Sequence, residues 1–462
     1  MFWTAVVISI AVLLSFLLRS DQELRVFPKT LPTLLDYPLG PLPNEFCDNG
    51  SAEIPSGRFR HPLSELKNAN DCMPRLPVQN LSLSHFNQIS RLQVQNVLSS
   101  ISSFVTLKRW VYHSFDTPTH FIGLAVAHLN YVANAFVYIV DKSTHDKYEY
   151  SALTPLGFGV DSFAASSVNG CTEFIDPISK VAGFFSSKHS SSLNPRMRLK
   201  ACFDTEQNSF RISMHGLLKS AQETKTLKLD ISAQLRQSLV LIYPIGFYGR
   251  EPRPAYVHKA TTLPCKGGLD FGHEEITFSP KTCSGVVDWT YAYAARITRW
   301  KWASFSGYAQ IPETLQRSQE ASQAESAVNL GINFSDGVYD DDDGVSQENG
   351  IWINGISYLV KKVIFQLPPV GQRETTPWYM YTEQTDSQQD IKVDLKFLPK
   401  GSRKEDVDAL IIASQFVQLF GEYYGEISVR GDIISDTISA EEYVTFGVNA
   451  MYGVAEDHYA KW

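Results

Sequence analysis

Charge is scarce in this 462-residue chain: Asp, Glu, Lys and Arg make up only 19%, and 41 basic residues against 49 acidic ones leave it at −8. With no basic excess to neutralise phosphates, the composition argues against a nucleic-acid partner. Cysteine is sparse too. There are six, and none forms the close CxxC pair of zinc ribbons or thioredoxin-like centres, so no metal is expected. No P-loop and no GxSxG occur, His273-Glu274-Glu275 lacks the second His of HExxH, and Gly157-Phe158-Gly159 lacks the third glycine of a dinucleotide loop. The common hydrolase, NTPase and dehydrogenase readings lose their warrant, and no cofactor is expected. What the chain does have is 44% apolar residues, with Phe, Trp and Tyr making up 12% of the chain, and enough length for two or three domains.

Met1–Leu18 carries no charged side chain and sits at the lower edge of the length that crosses a bilayer as a helix. No Lys or Arg precedes it and Leu18-Arg19-Ser20 is a poor cleavage site, so an uncleaved single-pass anchor is expected over residues 1–20. Arg19, Arg25 and Lys29 follow the segment and bias the bulk of the chain toward the cytosol, which leaves the side of the membrane open. Residues 21–56 read as a linker, because Pro28, Pro32, Pro38, Pro41 and Pro43 favour extended, semi-rigid chain. Cys47–Cys72 and Cys265–Cys283 are the sequence-near candidates for disulfides should the compartment be oxidising. N-x-S sequons at Asn49, Asn80 and Asn333 are no more than chance supplies.

Beyond the linker the dominant signal is period-two alternation, the signature of strands with one face buried. Ile391, Val393, Leu395 and Phe397 alternate with Lys392, Asp394 and Lys396; Leu227, Leu229 and Ile231 alternate with Lys228, Asp230 and Ser232. Met197–Phe203 and Phe210–Met214 alternate on either side of turn residues Asp204–Asn208 and read as a hairpin. More continuous apolar runs, Phe121–Ala127, Ala135–Val140 and Leu239–Ile242, read as strands covered on both sides or lining an apolar barrel. Glu313–Ser326 is a polar insertion, a loop or short surface helix. The expected architecture is all-β and antiparallel, in two domains, 57–250 and 251–462, divided at the Gly/Pro-rich stretch Pro244–Pro254.

A series of phrases in order then points to a family. Gly57-Arg58-Phe59, Lys108-Arg109-Trp110-Val111-Tyr112 and Tyr131–Tyr138 are followed by Gly285–Trp289, Thr298–Gly307, Gln347-Glu348-Asn349-Gly350, Asp394–Phe397, Gly421–Gly425 and the closing Gly453–Trp462. Together they resemble domain-of-unknown-function family 2804 over roughly Gly57 to Trp462. A looser, fold-level similarity is to the paired lipocalin-like barrels of hydroxyneurosporene synthase and tocopherol cyclase relatives. That resemblance implies two lipocalin-like β-barrel or sandwich domains after the N-terminal transmembrane helix, and a hydrophobic, lipid or isoprenoid-like small molecule as partner.

The candidate site residues follow from the same segments. Asp288, Trp289, Arg299, Trp300 and Trp302, with Asn349, are the expected ligand-binding group, Trp300 and Trp302 entering one apolar interior together from alternating strand positions. Glu348, Glu456 and His458 are the catalytic candidates, since carboxylates and imidazole perform general acid–base chemistry and Glu456 and His458, two apart on a strand, share a face. Asp340–Gly344 fails the EF-hand register and reads as a solvated turn, as Arg430-Gly431-Asp432 does after a strand-like Ile427–Val429. Three functions remain: a membrane-anchored protein binding a hydrophobic molecule in a second-domain cavity, an enzyme isomerising, hydrating or cyclising such a molecule, and a non-catalytic scaffold.

Overall fold

The computed structural model describes residues 57–64, 66, 104–178, 196–248, 251–272, 274–318, 327–383, 389–408 and 413–461. The expected anchor and linker, Cys47–Cys72, and the sequons at Asn49 and Asn80 lie outside them. Among the described residues no helix is long and apolar enough to cross a membrane.

The chain is all-β and antiparallel. Its strands are β1 (Gly57–Phe59), β2 (Leu107–Asp116), β3 (His120–His128), β4 (Val132–Asp141), β5 (Lys147–Pro155), β6 (Val160–Ser162), β7 (Cys171–Ile175), β8 (Met197–Asp204), β9 (Ser209–Lys219), β10 (Thr224–Gln234), β11 (Leu239–Tyr248), β12 (Glu251–Asp270), β13 (Glu275–Phe278) and β14 (Ser284–Tyr293) in a first sheet of fourteen. A second sheet of nine holds β15 (Ile297–Ala309), β16 (Val328–Asp336), β17 (Gly350–Ile353), β18 (Ile356–Leu359), β19 (Ile364–Gln366), β20 (Trp378–Tyr381), β21 (Ile391–Asp408), β22 (Ala413–Arg430) and β23 (Tyr443–Lys461). Two short helices, α1 (Glu313–Ser318) and α2 (Gly431–Ile434), interrupt the second.

Eight strands of the first sheet form a circuit, β12-β14-β2-β3-β4-β5-β9-β10, with β10 returning to β12 and β5 meeting β9 through the single pair Glu149↔Lys219. The second sheet runs β18-β17-β16-β15-β23-β22-β21-β20-β19 around a separate core. The chain changes sheet between Tyr293 and Ile297, not at the Gly/Pro-rich stretch, which lies in the β11–β12 hairpin. Pro244 follows Ile242, the last β11 residue paired to β1, and Pro252 and Pro254 precede Ala255, the first β12 residue paired to β14. The hairpin projects there beyond its neighbours, so the missing proline donors cost no ladder bond on that side.

Strands near the junction are buried on both faces, which explains the unbroken apolar runs. On β3 and β4, Ile122, Leu124, Val126, Ala135, Val137 and Ile139 enter the first core, whereas Phe121, Ala125, Phe136, Tyr138 and Val140 turn to a third cluster shared with Trp302, Phe420, Tyr452 and Val454 of the second sheet. On β15, Ala303 and Phe305 face the second core and Trp302 the shared seam. Polar bonds stitch the seam: Ser284 Oγ lies 2.6 Å from Ser306 Oγ and 2.7 Å from Asn329 Oδ1, and Tyr138 donates to Gln418 at 2.7 Å. The sheets approach so closely that a Cβ on Gly331 would strike the Thr261 side chain.

Two disulfides tie neighbouring strands of the first sheet, Cys265–Cys283 and the cross-strand pair Cys171–Cys202, which nearness in sequence did not suggest. The acidic run is a turn closed on itself, with Asp341 accepting from the backbone N–H groups of Asp343 and Val345. Arg430 likewise pairs with Asp432 and Asp390.

Candidate functional site

The interiors of both sheets are filled by their own side chains. The space is between them: a cavity of about 420 Å³ whose lining comes from β2–β5, β12 and β14 on one side and β15, β16, β21, β22 and β23 on the other. The expected second-domain cavity is therefore a seam cavity, and the reason lies in the alternation: Trp300 and Trp302 occupy the β15 face opposite Ala303 and Phe305, so they leave the second core and point at the first sheet.

Aromatic rings and aliphatic side chains form most of the wall. Trp110 of β2 stacks on Trp300 of β15, 6.5 Å between centroids and 8° between planes, and the edge of Tyr112 meets Trp302 at 5.3 Å. Phe136 and Phe416 close the far side, with the buried Arg403 guanidinium 3.9 Å over the Phe136 ring and bonded to Glu405 at 2.9 Å.

Two polar groups break this surface. In the first, Glu456 of β23 stands opposite Trp302 in register. Its carboxyl accepts from Trp300 Nε1 at 3.1 Å and from Gln418 Nε2 at 2.5 Å. Burial pushes its pKa up to about 7 against the pull of those two donors, with the Asp288 charge adding to the rise and Lys259 opposing it. His458, two residues on, packs its ring 3.9 Å from Trp300 and 4.8 Å from Phe416 and lies 3.2 Å from Ser414 Oγ. Burial, helped by Arg403, lowers its pKa to about 3, so the ring is neutral.

The second group is an ion cluster. Lys259 of β12 lies 2.5 Å from Asp288 of β14, its register partner, and 3.3 Å from Glu348, which the turn before β17 carries in from the other sheet. Glu348 also accepts from Ser335 Oγ at 2.9 Å. Burial would lower the Lys259 pKa, but the Asp288 and Glu348 charges outweigh it and hold the amine above its usual range; burial raises Glu348 against the Lys259 attraction. The ammonium also sits 5.6 Å over the Trp302 ring.

The cavity thus brings together Asp288, Trp300, Trp302, Glu348, Glu456 and His458. It does not take in the other three. Trp289 points to the opposite face of β14 and packs in the first core against Tyr256 and Phe163. Arg299 is exposed and lies over the Tyr459 ring, since alternation turns it away from Trp300. Asn349 braces the turn, accepting from Ser335 N at 2.9 Å and donating to the Lys361 carbonyl at 3.2 Å. Asn333 is buried between Trp302 and the Glu348 carbonyl, which removes its sequon from glycan addition in the folded chain.

Sequence reading missed Lys259, Gln418, Arg403 and Tyr339. A signal existed for Gln418, which interrupts the otherwise apolar run Phe416–Phe420. Among the described residues no cluster of His, Cys, Asp and Glu could hold a metal ion.

Among solved structures, a protein assigned as AttH from Nitrosomonas europaea is 13% identical at a TM-score of 0.41, the match covering 76% of this chain and 92% of that one. Kievitone hydratase from Nectria haematococca is 12% identical at 0.40, covering 77% and 90%. CghA with Sch210972 is 6% identical at 0.36, covering 76% and 87%. No curated protein sequence matches the chain. The family model of the domain of unknown function DUF2804 matches residues 82–462, and the chain belongs to that family.

Proposed function

We propose that the seam cavity takes up a hydrophobic small molecule, lipid or isoprenoid-like, and that Glu456 exchanges a proton with it, making the protein a catalyst of isomerisation, hydration or cyclisation. The observation that carries this reading is a buried carboxyl, fixed by Trp300 and Gln418, on the wall of a largely apolar cavity. A carrier needs only the apolar wall; a carboxyl held there against its desolvation cost supports chemistry. Protonated Glu456 gives its proton to an unsaturated carbon of the bound molecule. As carboxylate it then takes one back, from a neighbouring carbon in isomerisation, from a water adding at the other end of the double bond in hydration, or from the carbon left after ring closure in cyclisation. Each cycle returns Glu456 protonated.

The uncharged run Met1–Leu18 supports a place at a membrane, where such molecules partition. Cys171–Cys202 and Cys265–Cys283 support its oxidising side, against the bias of the basic flank.

The test is native mass spectrometry of the purified full chain, followed by solvent extraction of whatever is released. A stoichiometric apolar passenger that the wild type converts and Glu456→Gln retains unchanged is the expected result. A passenger that neither protein alters makes the cavity a carrier, and a Trp300→Ala chain that captures it equally well removes the cavity from the account.

A further inference from the structure

The Lys259–Asp288–Glu348 cluster takes no part in proton exchange at Glu456, yet it lines the same cavity. All three side chains are at most a tenth exposed. One ammonium faces two carboxyls, at 2.5 and 3.3 Å. Lysine carries three N–H donors and no acceptor. Asp288 takes one of them, Glu348 stands in ion-pair range, and the ammonium lies over the Trp302 ring at the cavity wall. The cluster thus offers a donor to the cavity, an N–H of Lys259. A pure hydrocarbon pressed against it would strip that donor of water and return nothing, whereas an acceptor oxygen would satisfy it.

Resting on the reading of the seam as a hydrophobic-ligand cavity, we propose that its ligand is an apolar carbonyl compound, whose ketone or aldehyde oxygen is held by Lys259 while its body lies against Trp110, Trp300, Phe136 and Phe416. The oxygen sets the orientation of the molecule in front of Glu456.

The experiment is equilibrium dialysis of the full chain against two probes of nearly equal shape, 1-acetonaphthone and 1-ethylnaphthalene. The ketone is expected to bind at least tenfold more tightly. In the donor-free triple variant Lys259→Met, Asp288→Leu, Glu348→Met both probes should bind at the affinity of the hydrocarbon. Equal binding of the two probes to the wild type overturns the carbonyl assignment and leaves the cavity standing, and so does a preference that survives in the triple variant. Binding of neither probe overturns the cavity reading, and this inference with it.

Discussion

Each sheet encloses an interior of aliphatic and aromatic side chains packed on one another, exemplified by Ile122, Leu229 and Ile242 in the first and Ile332, Leu395 and Val444 in the second. The seam between the sheets is built otherwise: rings stand apart around open space, and Lys259, Asp288, Glu348 and Glu456 are buried among them. A packed interior gains dispersion from every contact and tolerates no charge, while the seam forgoes contacts and carries desolvated ions. Stability therefore resides in the two interiors, and the chemistry of the molecule in the surface they share. Asp288 and Trp289 put the contrast into adjacent residues, one facing the seam and the other the first core.

The strongest break of that comparison is kinetic. Glu456→Gln should lower turnover of the extracted passenger by about a hundredfold or more, the scale of a lost general acid–base group, while the fold persists. The same substitution should raise thermal stability above neutral pH. A carboxyl whose folded pKa of about 7 exceeds its unfolded value of 4.5 favours folding below pH 4.5 and loses that contribution as pH rises through 7. Removing it is worth about 3 kcal/mol at most. A Tm–pH profile of the two proteins checks the sign, and a variant less stable at pH 8 contradicts it.

Next comes the pair across β14. Trp289→Ala should cost about 3–5 kcal/mol in chemical denaturation, as large aromatics in cores do, and leave affinity for the passenger unchanged in the fraction that folds. Trp300→Ala should do the reverse, with a stability loss below about 2 kcal/mol because its ring already borders open space, and at least tenfold weaker capture. Equal stability losses would erase the distinction between interior and seam.

Acid sharpens the contrast within the interiors. His113 and His258 are buried in the first, their pKa values lowered by burial to about 4 and about 3, and His458 in the seam is lowered to about 3. Unfolded histidines bind protons below 6.5 and these do not, so stability should fall as pH drops from about 6.5 toward 4. His113→Phe combined with His258→Leu should flatten that limb in a urea titration series. A limb that stays steep assigns the acid sensitivity elsewhere.

A last contrast concerns the bridges. Reduction should lower stability by about 2–4 kcal/mol per disulfide, slightly more for Cys171–Cys202, which spans 31 residues, than for Cys265–Cys283, which spans 18. Thiol alkylation of the chain from cells, with and without reductant, reads whether they form; free thiols at those four positions would contradict the oxidising compartment.

Much of the fold was legible. Ile391–Phe397 and Leu227–Ile231 alternate because only one of their faces is buried, and both are strands in the register that alternation demands. The hairpin Met197–Met214 turns at Asp204 and Ser209, where the turn residues stand. The seam was less legible. Glu348 lies in a turn, where neither period constrains its direction, and it reaches Lys259 of the other sheet only because β16 and β17 dock on β12.

The amino-acid sequence by itself determined that the chain folds as antiparallel strands, that Trp300 and Trp302 share a face, and that Glu456 and His458 share another. A side chain's face follows from the two-residue repeat of its own strand, a local property. Only the tertiary structure decided which of two apolar faces would be interior and which seam. A strand buried on both sides has no polar face to tell them apart, and the choice rests on which sheet packs against it.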